Sequence, residues 1–167
     1  MGSKEIPGMT QGQALAHSDR LLGQLRSVLN NEPPKQAFQS FVEILRRSFD
    51  WYNWVGIYLV RGDKLVLEVY AGDAETEHVT IPIGQGICGF AAKTGETVVV
   101  PDVSRDPRYL MCFPSTRSEI VVPIKGKKGV IGEIDIDSDK LTAFSKSDEK
   151  FLEVASQELA SYLEKRL

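Results

Sequence analysis

Four side chains in the second half of the chain are of types that do chemistry: Cys112, Glu119, Asp135 and Asp137. They lie in two apolar segments, MCFPSTRSEIVVPI and GVIGEIDIDSD. An acid buried unpaired in such a setting is costly. Acids kept there are expected to hold something positive or to move a proton, and a thiol beside them adds nucleophilic and redox chemistry. Glu133, Asp135 and Asp137 alternate with Ile134 and Ile136, a period of two that puts the three acids on one face of a strand. Pattern alone favours a solvated sheet face. The sharper reading is a site where a cation such as an ammonium relieves the repulsion of like charges. Glu119 begins the neighbouring strand and reaches the same face.

The two cysteines stand in different settings. Cys112 lies in a polar loop two residues before Pro114. It reads either as a small, half-buried hydrophobe or as a nucleophile presented over a pocket. Arg105, Arg108 and Arg117 are near in sequence and would favour its thiolate. Cys88 sits in the glycine-rich GQGICG (Gly84 to Gly89) at an expected helix N-terminus, where the helix dipole would lower its pKa. As an isolated residue it reads as a packed turn residue. GQGICG matches GxGxxG, but the dinucleotide fingerprint needs a βαβ unit, and hairpins follow here. A tight turn with positive φ angles is the reading adopted. Trp54 and Tyr58, four residues apart, share a strand face. They suit core packing, or the wall of a pocket for an apolar, sulfur-bearing ligand, since thioethers contact aromatic rings favourably.

The elements that must position these groups are those of one domain; 167 residues suffice for one real core. A net charge of -3 without a basic run argues against nucleic acid or an anionic membrane as partner. No stretch approaches the roughly 20 apolar residues of a membrane span. The first residues, MGSKEIPGMTQGQ, lack the apolar core of a signal peptide. A cytoplasmic, reducing compartment is expected, in which two cysteines are free or catalytic rather than a permanent cross-link. The other soft ligands are His17 and His78, so neither a metal site nor a cofactor is expected.

A helical stripe of Leu15, Leu21, Leu22, Leu25, Val28 and Leu29 predicts a helix from about Gln11 to Asn30, and a second runs from Pro34 to Phe49. Residues 1–10 are expected to be flexible. Strands are predicted over Trp54 to Val60, Lys64 to Ala71, Val79 to Pro82, Val98 to Val100, Glu119 to Ile124 and Val130 to Asp137. A short helix follows Gly84, ending at Gly95. A long loop spans Pro101 to Ser118, and a last helix begins at Ser145 with Asp148 three residues on. Helices, an antiparallel sheet and a closing helix make an α+β domain. The flanking helices can carry a homodimer interface.

Assembled, these pieces resemble a GAF domain over nearly the whole chain, 1–167. More narrowly they resemble the free methionine-(R)-sulfoxide reductase family. The likeness runs through WVGIY (Trp54 to Tyr58), IPIGQGICGFAA (Ile81 to Ala92), VVVPDV (Val98 to Val103), the Cys112 loop, SEIVVPI and GEIDIDSD. It implies that Cys112 is the catalytic cysteine. Glu119, Asp135 and Asp137 would bind the ligand's ammonium group and polarise or protonate the sulfoxide oxygen. Trp54 would cover the methylthio end, and Tyr58 would help line the pocket. The implied chemistry passes from a sulfenic acid on Cys112 to a disulfide, with reduction by thioredoxin or a similar dithiol. Many family members carry a third, commonly resolving cysteine ten residues before the Cys88 position; here that residue is His78, which leaves either Cys88 as the internal resolving thiol or an external thiol that reduces the sulfenic acid directly. Two further readings stand beside this one. One is a non-catalytic GAF sensor of a small amine or amino acid. The other is a redox switch in which Cys88 and Cys112 pair without a substrate.

Overall fold

The computed structural model describes residues 9–166. Helices α1 (Gln11–Asn31) and α2 (Pro34–Ser48) come first, followed by strands β1 (Trp54–Arg61), β2 (Lys64–Ala71) and β3 (Thr80–Pro82). Helix α3 (Gly86–Thr94) leads to β4 (Val98–Val100), a 3-10 turn at Val103–Arg105, β5 (Ser118–Gly126), β6 (Gly129–Ser138) and helix α4 (Lys146–Glu164). The six strands form one sheet in the order β3-β2-β1-β6-β5-β4. Every neighbouring pair is antiparallel. Among the described residues no helix is long and apolar enough to cross a membrane.

The helices form where local signals and an apolar face agree. Thr10 caps α1 by a capping box: its hydroxyl accepts from the Gln13 N–H, and the Gln13 side chain accepts from the Thr10 N–H. Thr10, within the stretch expected to be flexible, is held by this cap, and residues 1–8 of that stretch lie outside the described residues. The predicted stripe is buried at Leu21, Leu22, Leu25 and Leu29, but Leu15 is 65% exposed, and the first turns of α1 touch the core through His17, whose ring meets Phe49 edge-on. Ser145 and Asp148 make the second capping box, at α4. Asp148 also accepts a hydrogen bond from the buried Tyr52 hydroxyl at 2.8 Å, which ties the helix start to the entry of β1.

The two faces of the sheet have different fates. Val55, Ile57, Ile120, Val122, Ile134 and Ile136 face α2 and α4 and form the main core with Phe41, Leu45, Leu152 and Leu159. Alternation sends Trp54, Tyr58 and Val121 to the opposite face, where Ile87, Cys88 and Ala91 of α3 close a second, smaller cluster. The glycine turn that leads into α3 has φ of +94° at Gly84 and +69° at Gly86. A side chain at Gly89 would place its Cβ 2.6 Å from the Pro82 carbonyl oxygen. With all strand pairs antiparallel, GQGICG is a tight structural turn and not a βαβ phosphate loop. Strands β5 and β6 run closer to their turn than predicted, leaving Lys127 and Lys128 between them, and β3 is shorter by Val79.

Candidate active site

Strand register puts the acids together. Across β1 and β6, Trp54 lies opposite Asp137, Gly56 opposite Asp135 and Tyr58 opposite Glu133. Across β5 and β6, Glu119 lies opposite Asp137. Partners in register share a face, so Trp54, Tyr58, Glu119, Glu133, Asp135 and Asp137 all point toward α3 and the Cys112 loop. The solvated face that pattern alone favours is not what forms. Each of the four acids is at most 4% exposed. Segments distant in sequence provide the cover, which the strand pattern cannot report.

Burial dominates the electrostatics. It pushes the Glu119, Glu133 and Asp137 carboxyls well above the ordinary range, and the neighbouring Asp135 charge adds to each shift. Asp135 is itself raised to about 6 by burial, with a hydrogen bond from Glu119 opposing the rise. The cluster therefore resists full ionisation, each carboxyl being held toward its protonated form by burial, and Asp135 is the one raised only to about 6. Both carboxyl oxygens of Glu133 and of Asp137, and one of Asp135, have no hydrogen-bond partner within the protein. Each such group costs roughly 1–3 kcal/mol, so the site holds unused capacity for a ligand rich in donors. Cys88, Glu119 and Asp135 each bring a ligand atom within 4.8 Å of the others, close enough to surround one small cation.

The thiols differ in surroundings. Cys112 is half-buried, with Sγ 3.3 Å from His78 Nδ1 and 3.5 Å from the Leu110 carbonyl oxygen. Cys88 is buried, with Sγ 4.0 Å from Glu119 Oε1. Neither thiol is acidified as its sequence position suggests. Burial pushes Cys88 well up, and Asp135, Glu133 and Glu119 push it further. A helix start contributes only about 0.3–1 kcal/mol in the other direction, which cannot offset that combination. Burial and then Asp135, Asp137 and Glu119 raise Cys112 as well. The arginines expected to help it are engaged or turned away. Arg108 forks onto Asp106 at 2.9 and 2.6 Å and lies over the Phe90 ring. Arg105 pairs with Asp102 at 3.4 Å, and Arg117 is exposed. Both thiols rest in the neutral form.

The aromatic wall is held by residues that sequence reading passed over. The Trp54 indole stacks on Tyr70 at 5.7 Å and meets Phe113, the neighbour of Cys112, at 5.6 Å. It lies across Gly56 and Gly72, where an ideal Cβ would fall 2.3 Å from the indole ring in each case. A glycine inside a strand marks such a close approach, so Gly56 was the available signal. The buried Tyr58 donates its hydroxyl to the His78 carbonyl at 2.9 Å. Tyr109, from the Cys112 loop, is raised to about 12 by burial and by Asp137. Thr76, His78, Tyr109 and Phe113 sit in irregular segments with no periodicity to betray them.

Comparison with known proteins agrees with this geometry. The GAF domain family model matches residues 33–163. GAF domain-containing protein A of Dictyostelium discoideum is 34% identical over 146 residues, covering 86% of this chain and 90% of that one. A type II free methionine-R-sulfoxide reductase from Thermoplasma acidophilum superposes with a TM-score of 0.73 at 40% identity, over 87% of this chain and 96% of that one. The free methionine-R-sulfoxide reductase of Neisseria meningitidis, solved in complex with its substrate, superposes with a TM-score of 0.83 at 34% identity, over 93% of each chain. The family match and these superpositions show that the chain belongs to the GAF domain family that includes the free methionine-R-sulfoxide reductases.

Proposed function

We propose that this protein, acting as a single GAF domain, reduces free methionine-(R)-sulfoxide to methionine with Cys112 as nucleophile. The observation that carries the reading is a half-buried thiol facing three sealed acids, Glu119, Asp135 and Asp137, beside a tryptophan wall. The activity named for the Thermoplasma and Neisseria relatives supports it. The free amino acid brings an ammonium with three donors, which suits Asp135, Asp137 and Glu119. A peptide-bound residue has no such group, so the acids select for the free form. Trp54 covers the methylthio end and Tyr58 lines the pocket.

A sulfoxide sulfur is a poor electrophile until its oxygen gains a proton. A carboxylic acid that burial keeps protonated, with Glu119 the best placed, supplies it. The Cys112 sulfur attacks and the oxygen passes to it. Methionine leaves, reduced by two electrons, and Cys112 is left as the sulfenic acid, oxidised by two. Cys88, beside the same acids, condenses with it to a disulfide and releases water. Thioredoxin or another dithiol of a reducing cytoplasm restores the thiols by exchange. The end helices serve as a homodimer contact.

The test is release of methionine from methionine-(R)-sulfoxide by purified protein with dithiothreitol. The wild type turns over, and Cys112→Ser loses activity by about 1,000-fold or more. A wild type without turnover sinks the enzyme. Turnover that survives Cys112→Ser sinks the nucleophile. Ligand binding without turnover identifies a GAF sensor, and reversible Cys88–Cys112 oxidation indifferent to ligand identifies a thiol switch.

A further inference from the structure

We infer that His78 is the base of this site, its Nδ1 accepting the Cys112 proton as the thiol becomes a nucleophile. The inference rests on the reductase reading above and adds a catalytic residue to it. The contact is direct: Nδ1 lies 3.3 Å from Sγ. It joins two segments far apart in sequence, the β2–β3 connection and the β4–β5 loop. The imidazole is held by its own backbone. The His78 carbonyl accepts from the Tyr58 hydroxyl at 2.9 Å, and its N–H donates to the Thr76 hydroxyl oxygen at 3.1 Å. Tyr58 and Thr76 are both buried, so the anchor points are fixed by the sheet-side cluster.

The need for a base follows from the surroundings of the thiol. Asp135 and Asp137 from β6 and Glu119 from β5 all face Cys112 and oppose its ionisation, and a hydrogen bond from Thr76 is too small to offset them. Tyr58 and Tyr109 are themselves raised and take no proton from it at neutral pH. In the proposed reaction Asp135 is committed to the ammonium, which leaves His78 as the acceptor in contact with sulfur. A Cys–His pair is a recurrent way to activate a thiol.

The proton inventory closes. The Cys112 S–H bond breaks and an N–H bond forms at Nδ1, giving a thiolate–imidazolium pair. Sulfur attacks, the sulfoxide oxygen takes its proton from the carboxylic acid, and a sulfenic acid and methionine result. When a second thiol displaces the sulfenic oxygen, the imidazolium protonates the departing hydroxide to water. The proton of that second thiol returns to the carboxylate.

The experiment measures the iodoacetamide alkylation rate of Cys112, resolved by peptide mass, at neutral pH and without substrate. Wild type, His78→Ala and His78→Asn are compared, each with and without added imidazole. Asn keeps a hydrogen-bonding atom near the Nδ1 position but cannot hold the proton. Both variants are expected to slow by about tenfold or more, and imidazole to restore several-fold in His78→Ala. Reductase turnover is expected to fall by about 100-fold in both. Unfolding would speed alkylation rather than slow it, and His78→Asn carries the test if the alanine variant does not fold. Alkylation within about twofold of wild type in a folded variant, or loss without imidazole rescue, overturns the base. Slowed and rescued alkylation in a protein whose wild type never releases methionine overturns the reductase and keeps the Cys–His pair.

Discussion

Asp135 concentrates the electrostatic argument at the scale of single residues. Its folded carboxyl titrates at about 6, against an ordinary 3.8. Between those values the folded protein holds the proton and the unfolded chain does not, so stability falls as pH rises through that window. The difference is worth roughly 3 kcal/mol. Asp135→Asn removes it. Without ligand, urea unfolding should show Asp135→Asn gaining up to about 3 kcal/mol on the wild type between pH 4 and pH 7. A constant gap would mean that Asp135 titrates normally. A bound ammonium reverses the preference, because it favours the ionised acids. Binding of methionine-(R)-sulfoxide near pH 6 should then release protons, seen as calorimetric heats that change with the ionisation enthalpy of the buffer. Asp137→Asn should weaken that binding by about tenfold or more. Equal heats in all buffers would remove the ammonium from the acid cluster.

The unit that matters among elements is β1 with the glycines beneath its tryptophan. Trp54 reaches the site because Gly56 on its own strand and Gly72 just beyond β2 leave room for the indole. Gly56→Ala should displace the ring, costing about 1–3 kcal/mol in stability and altering near-ultraviolet circular dichroism, with KM for the sulfoxide rising more than kcat falls. An unchanged KM would mean that Trp54 does not touch the ligand. The contact of His78 with Cys112 is likewise a matter of elements. β2 turns back through an irregular segment into β3, and Tyr58 pins that segment from the centre of the sheet. Neither strand pattern nor helical stripe contains that information.

For the whole molecule, the sheet separates stability from chemistry. The main core lies between the sheet and helices α1, α2 and α4, while the acids and thiols lie on the other side. Leu152, fully buried in the main core, should cost about 2–5 kcal/mol when replaced by alanine, measured by urea unfolding. Affinity for the sulfoxide and the alkylation rate of Cys112 should stay within about twofold at temperatures where the variant is folded. A large loss of affinity would show that the two faces are energetically linked.

Sequence by itself determined what depends on neighbours along the chain. Period-two alternation put Glu133, Asp135 and Asp137 on one face, and the bounds Lys64–Ala71 and Val98–Val100 followed from turn residues on either side. The Ser145–Asp148 cap and the positive-φ glycines were local as well. The resemblance of its motifs named the family that the comparisons bear out. Only the tertiary structure decided whether the acidic face was wet or sealed, because its lid comes from α3 and the Cys112 loop. It also reversed the expected acidity of both thiols, since desolvation and facing carboxyls outweigh a helix start and arginines that are merely close in sequence. The placement of His78 against Cys112 was decided there too, for a contact between two irregular segments leaves no periodic trace in either.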